Sequence, residues 1–140
     1  RQMLGAYLLS SGTYDTYYYP AQQVRTLITA DYARAYEKCD VILMPAAPRT
    51  AFKFGEMSDP TQMYASDMFT ISNNIVGNGG VSVPLGLGAT SGLPVSAQLQ
   101  GPAFADATLL TFARAIERSF SPDGGAPVAP ACAGKGGELA

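Results

Sequence analysis

The chain has 140 residues, of which 47% are hydrophobic, and nine lysines and arginines face eleven acidic residues, giving a net charge of −2. This composition predicts one folded domain and argues against direct nucleic-acid binding, which requires clustered basic residues. Histidine is absent, which excludes Ser-His-Asp and Cys-His catalysis and the usual zinc sites within this chain. No apolar run is long enough for a membrane span. Cys39 and Cys132 lack metal or disulfide spacing, which favours the reducing cytoplasm.

The first predicted element is a helix that is already under way at Arg1 and ends at Gly12. Neither a cap nor an initiator methionine precedes it, so we expect the sequence to be part of a longer one. An aromatic cluster follows, made of Tyr14, Tyr17 and Tyr18. These rings either line a pocket or a subunit contact, or they cover an adjacent sheet as core.

Apolar residues at three- and four-residue steps predict a second, amphipathic helix. Pro20 belongs in its first turn or kinks it. Arg25, on this helix, forms either an ion pair with a nearby acid or a subunit contact. The apolar stripe consists of Val24, Leu27, Ile28, Tyr32, Ala35, Tyr36 and Cys39.

Three strands are predicted further along the chain. The segment "DVILMP" is short and apolar, which is typical of a strand buried on both faces, and "GVSVPLG" can be a second such strand that ends at Pro84. "GLPVSAQLQGP" alternates Val95, Ala97 and Leu99 with polar residues, as a third strand does. Strands of this kind need more neighbours than the chain supplies. We therefore predict part of an α/β sheet flanked by helices, incomplete on its own.

The remaining segments complete the predicted domain. Residues 46–62 form a surface loop, and residues 63–76 form a helix. Asp106 caps a final helix whose buried face carries Leu109, Ala113, Ile116 and Phe120. Residues 121–140 contain eight glycines and prolines, which predicts a disordered tail after a folded unit of residues 1–120.

The glycines do not match a phosphate-binding motif. Gly86, Gly88 and Gly92 follow the pattern G-x-G-x-x-x-G, one residue too long for a dinucleotide fingerprint, and no helix follows. Gly134-Lys135 lacks the other residues of a P-loop. We therefore expect the glycines to allow tight turns and close backbone packing.

Four segments, in unbroken order from residue 1 to about residue 117, resemble a known family. They are "RQMLGAYLLSSGTYDTYYYPAQQVRTLI", "DVILMPAAPRTAFKFGE", "DPTQMYASDMFTISNNIVGNGGVSVPLG" and "GLPVSAQLQGPAFADATLL". The family is that of the amidase-signature enzymes that serve as A subunits of glutamyl-tRNA(Gln)/aspartyl-tRNA(Asn) amidotransferases. Pro20 departs from its pattern, and Ser96 and Gln100 replace a customary glycine and an aliphatic residue.

The resemblance implies the C-terminal part of the amidase-signature fold, a mixed sheet flanked by helices. The family's catalytic lysine and its Gly-Gly-Ser-Ser-Gly serine lie upstream and have no counterpart here. We therefore expect no catalytic residue in this chain and no activity of the chain alone, whereas the full-length protein would be an amidotransferase or amidase.

The resemblance also implies a substrate site and partners. Arg1 stands where the family binds the α-carboxylate of glutamine, and Asp67 stands where it binds the α-ammonium. For Asp67 the alternative is an ordinary acid on a helix surface. The implied partners are the B and C subunits, with tRNA bound only through the complex and ATP with Mg²⁺ used by a partner subunit; no cofactor or metal is expected in this chain. The alternatives are another amidase-signature amide hydrolase or a non-catalytic orphan chain.

Overall fold

The computed structural model describes residues 2–57 and 59–120. A turn of π-helix, Tyr14–Tyr18, leads directly into the second helix. The predicted tail, residues 121–140, lies outside the described residues, as does Arg1. In chain order, the helices and strands of the described part are α1 (Gln2–Leu8), α2 (Tyr19–Tyr36), β1 (Ile42–Pro45), α3 (Pro60–Ala65), α4 (Ile71–Val76), β2 (Gly79–Leu87), β3 (Pro94–Gly101) and α5 (Asp106–Phe120).

One antiparallel sheet with the strand order β1-β3-β2 organises this part of the chain. β3 lies in the centre, where Leu99 pairs with Leu43 on β1 and with Val81 on β2. Leu43 is 59% exposed, so the prediction that β1 is buried on both faces is wrong there. Helix α5 packs on β2 and β3, and this arrangement leaves Leu43 uncovered at the edge of the sheet.

β2 continues past Pro84, the residue at which it was predicted to end. The register shifts by a β-bulge between Pro84 and Gly86. An edge strand tolerates proline because one side of its backbone needs no hydrogen-bond partner. Gly86 has a φ of +124°, a conformation that side chains disfavour, and the strand then runs on to Leu87.

The alternation predicted for β3 is present, but it does not separate a buried face from an exposed face. Ala97 and Leu99 contribute apolar side chains on one face, whereas Gln98 and Gln100 are 8% and 0% exposed on the other. The position of β3 between two strands, with helices on both sides, buries its polar residues too. The apolar core is formed by Val83, Leu99, Leu109 and Ala113.

Helix α5 presents the predicted apolar face, with two corrections. Leu109 and Ala113 are buried and Ile116 packs against the core, but Phe120, the last helical residue, is 57% exposed. Asp106 is the first residue of the helix and not its cap. Its carboxylate stands in the first turn, where it complements the positive end of the helix dipole.

The single helix predicted over residues 63–76 is interrupted. A turn at residues 66–70, named here the 66–70 turn, separates α3 from α4. The Asp67 carbonyl accepts hydrogen bonds from the backbone N–H groups of Thr70 and Ile71, both at 3.0 Å. The Thr70 hydroxyl donates to the same carbonyl at 3.1 Å, and a side chain that bonds to the backbone in this way competes with a continuous helix.

The two N-terminal helices differ in length from their predictions. α1 ends at Leu8, before Gly12. Pro20 lies in the first turn of α2, which was one of the two alternatives predicted for it, the other being a kink in the helix. In the apolar stripe of α2, Ile28, Tyr32, Ala35 and Tyr36 are partly buried, whereas Val24, Leu27 and Cys39 are exposed.

Candidate functional site

Asp67 lies in the 66–70 turn with an exposed side chain. Within residues 2–57 and 59–120, its carboxylate makes no hydrogen bond or ion pair. The backbone of the same residue is held by the turn. An unpaired carboxylate on a fixed backbone is available to a cationic group of a ligand.

Arg1, predicted to bind the α-carboxylate beside Asp67, lies outside the described residues. Its proximity to Asp67 therefore stays a prediction.

A buried polar network attaches the 66–70 turn to the sheet. The Gln100 side-chain amide donates from Nε2 to the Phe69 carbonyl at 3.0 Å and contacts the Met44 sulfur at 3.4 Å. Gln100 Oε1 accepts a hydrogen bond from the Tyr32 hydroxyl at 3.0 Å. Tyrosine has one O–H group, so the Ser72 hydroxyl is the donor in its 2.7 Å bond with the Tyr32 oxygen. The network joins β3, α2, α4 and the turn.

This network is not among the features predicted from the sequence. Alternation along β3 predicts that Gln100 faces solvent, and only the strand order places it in the centre of the sheet. The available signal was the departure of Gln100 from the aliphatic residue of the resembled family.

A cavity of about 600 Å³ lies between α2 and α4. Arg25 lines it together with apolar side chains that include Val24, Ile28 and Ile75. In the described ranges Arg25 forms no ion pair, so the predicted ion pair is not found there. The predicted subunit contact of Arg25 stays a prediction.

The tyrosine cluster lies at the surface of the described chain. Tyr14 and Tyr17 are 42% and 55% exposed, whereas Tyr18 is half-buried. The rings of Tyr14 and Tyr18 are tilted against each other with their centroids 4.8 Å apart. This exposure disagrees with a core role within this chain and agrees with a pocket or contact surface.

Two glycines of the sheet, Gly79 and Gly101, serve close packing, the role predicted for glycines in this chain. Gly79 and Gly101 pair across β2 and β3, and the Leu109 side chain lies over both. A Cβ atom added at Gly79 would be 2.8 Å from Leu109 Cδ1, and one added at Gly101 would be 3.0 Å from Leu109 Cγ. Gly92 has a φ of +64° in the link between the two strands, where glycine permits the turn.

Tyr36 is the titratable group with a resolved perturbation among the described residues. Burial, with smaller contributions from Tyr32 and Cys39, raises the pKa of Tyr36 from 10.0 to about 12, and a hydrogen bond from Asn78 opposes the rise. Asn78 Nδ2 donates to the Tyr36 oxygen at 3.3 Å. The Tyr36 hydroxyl therefore stays protonated near neutral pH.

Metal-binding clusters and membrane-spanning helices are both absent from the described ranges. No three or more acidic, cysteine or histidine side chains there come together in a way that could hold a metal ion. None of the helices there combines the length and apolar character that crossing a membrane requires.

The sequence model of the family described as Amidase matches residues 1–110. This chain belongs to the amidase family. The A subunit of glutamyl-tRNA(Gln) amidotransferase from Anaeromyxobacter sp. strain K is 55% identical over 123 residues, which are 87% of this chain and 25% of that relative. The protein of the same name from Oleidesulfovibrio alaskensis is 53% identical over 130 residues, 92% of this chain and 26% of the relative.

A solved structure agrees with the sequence relatives. The crystal structure of the glutamyl-tRNA(Gln) amidotransferase A subunit from Thermotoga maritima matches with a TM-score of 0.71 and 41% identity. The match covers 84% of this chain and 26% of that chain. The chain thus spans about a quarter of the length of these relatives. The family resemblance and the α/β fold class predicted from the motifs are confirmed.

Proposed function

We propose that this chain forms part of the glutamine-hydrolysing A subunit of a tRNA-dependent amidotransferase. Such an enzyme makes Gln-tRNA(Gln) or Asn-tRNA(Asn) from the misacylated tRNA. The observation that carries the proposal is identity of 55% over 87% of the chain to the A subunit of a glutamyl-tRNA(Gln) amidotransferase. Residues 1–120 would be the C-terminal part of its amidase domain, and the family match to residue 110 supports most of that range.

Within the full-length protein, the chain would contribute a wall of the glutamine site. Arg1 would bind the α-carboxylate of glutamine with its guanidinium fork, and Asp67 would bind the α-ammonium. The exposed Asp67 carboxylate, which has no partner in the described structure, supports this assignment. Neither residue is a nucleophile. The serine nucleophile and catalytic lysine would come from another part of the full-length protein.

The partners follow from the same proposal. The A subunit would assemble with B and C subunits in the cytoplasm, and ammonia released from glutamine would pass to the B subunit. ATP and Mg²⁺ would act on that partner, which activates the misacylated tRNA. tRNA would reach this chain only through the complex.

The test compares two nitrogen donors in the assembled enzyme that carries this chain. Arg1→Ala and Asp67→Ala should each weaken glutamine-dependent amidation sharply, while amidation with supplied ammonia continues. Leaving a charged α-group desolvated without its partner costs about 2–5 kcal/mol, a factor of tens to thousands. Arg1→Lys should restore activity only partly, since an ammonium cannot form two parallel bonds.

Asp31→Ala is the matched control, because Asp31 is an exposed acid on α2 whose partner is the neighbouring Arg34. It should leave both reactions unchanged. Loss of both reactions in Asp67→Ala would indicate a role in the fold or in contacts between subunits. Loss of neither would make Asp67 a surface acid. Efficient hydrolysis of an amide other than glutamine would favour the alternative of a different amide hydrolase.

A further inference from the structure

Gln100 is fully buried in the central strand, yet it carries a polar amide. An apolar residue would fill the same space without the cost of removing an amide from water. Each end of this amide has a hydrogen-bond partner: the Tyr32 hydroxyl at Oε1 and the Phe69 carbonyl at Nε2. The amide therefore specifies the position of the groups that it contacts, in addition to filling the core.

The Phe69 carbonyl is part of the 66–70 turn, two residues after Asp67. Hydrogen bonds from Thr70 and Ile71 to the Asp67 carbonyl close this turn. A displacement of Phe69 within a closed turn displaces Asp67 as well. From the other side, Tyr32 links the same amide to Ser72 in the first turn of α4, so the network holds both the turn and the helix that follows it.

We infer that Gln100, held by Tyr32, is a positioning residue for the Asp67 carboxylate and thereby sets the affinity for glutamine. The inference rests on the proposed function, in which Asp67 binds the α-ammonium. Gln100 itself has no exposed surface and therefore acts through the turn, without touching the substrate. Small displacements of a binding group remote from the reacting atoms are costly, because charged hydrogen bonds depend on geometry.

The test measures glutamine kinetics of the assembled enzyme for two variants. Gln100→Met keeps the length and burial of the side chain and removes both amide hydrogen bonds. It should raise the KM for glutamine by about tenfold, with kcat and the ammonia-dependent reaction within about twofold of the parent. Tyr32→Phe removes one hydroxyl and should raise KM by roughly threefold, as the loss of a single hydrogen bond would.

Gln98→Met is the matched control. Gln98 lies on the same strand and the same face and is buried, but its Oε1 has no hydrogen-bond partner. The same substitution there should leave the KM for glutamine unchanged. An equal rise in KM for Gln98→Met and Gln100→Met would overturn the inference, because it would reflect general loosening of the sheet.

A double variant separates positioning from stability. If Gln100 acts through Asp67, Gln100→Met should change the KM no further in the Asp67→Ala background. Full additivity would overturn the inference and leave the proposed function intact. If Asp67→Ala impairs glutamine use but Gln100→Met has a normal KM for glutamine, the inference is likewise overturned and the proposed function stays intact. If Asp67→Ala has no effect on glutamine use, both the proposed function of Asp67 and this inference fail.

Discussion

Replacing Gly101 with alanine should destabilise the packing of α5 on the sheet by about 1–3 kcal/mol. The added Cβ would lie 3.0 Å from Leu109 Cγ and 3.1 Å from Cδ2, whereas carbon atoms in favourable contact are about 3.5–4.0 Å apart. Leu109 would have to retreat by about half an ångström. It is 2% exposed and lies over Gly79 as well, so it has little room to move.

The assay is hydrogen–deuterium exchange of the β3 and α5 backbone amides in the full-length protein that carries this chain, which reports the local opening free energy. Leu109→Ala alone should lower this opening free energy by about 2–5 kcal/mol, because it leaves a cavity. In the double variant, the alanine at residue 101 enters that cavity. The loss of opening free energy in the double variant should therefore be smaller than the sum of the losses in the two single variants, by about 1 kcal/mol or more.

Gly5→Ala provides the control, because nothing lies within 4 Å of a Cβ added at Gly5 in α1. It should be neutral or stabilise the helix by about 0.5–1 kcal/mol. Unchanged exchange in Gly101→Ala would refute the steric argument. Simple additivity with Leu109→Ala would show that the cost of the added methyl group arises elsewhere.

Two further predictions concern the core and alkaline stability. Leu99→Ala should lower the free energy of unfolding, measured by denaturant titration, by about 2–5 kcal/mol, because Leu99 is 1% exposed. Leu43 pairs with Leu99 but is exposed, so Leu43→Ala should lower it by less than about 1 kcal/mol. Equal losses in the two variants would contradict the observed burial. The unfolded chain ionises Tyr36 near pH 10.0 and the folded chain near 12, so its contribution to stability is complete below the lower value and is lost as the pH rises between them. Tyr36→Phe should flatten that loss in unfolding curves recorded across this range, and an unchanged slope would show that Tyr36 is not the group responsible.

Local patterns in the sequence predicted elements whose cause is local. The position of Pro20 in the first turn of α2 follows from its fixed φ and its missing N–H group. The buried face of α5 follows from the spacing of Leu109 and Ala113. The role of the glycines in close packing also followed from the sequence, although the identity of Leu109 as their contact did not.

Features that depend on strand order were not predictable in the same way. Leu43 looks like a core residue in the sequence, but its position on an outer strand leaves it exposed. Gln100 looks like a surface residue, but the central strand buries it. The break between α3 and α4 depends on hydrogen bonds to the Asp67 carbonyl, and no hydrophobic periodicity encodes such bonds. For the site, the resemblance suggested Asp67, and the structure added the network behind it.

The order β1-β3-β2 has a consequence for folding during synthesis. Ile42 on β1 pairs with Gln100, and Gly79 on β2 pairs with Gly101. Chains are made from the N-terminus, so β1 and β2 both leave the ribosome before the strand that joins them. The contacts between β1 and β3 are distant in sequence and form slowly, since the long loop between them must close before they contribute, whereas β2 and β3 follow each other in the chain. The apolar residues of β1 are therefore open to chaperones and to premature association until β3 emerges.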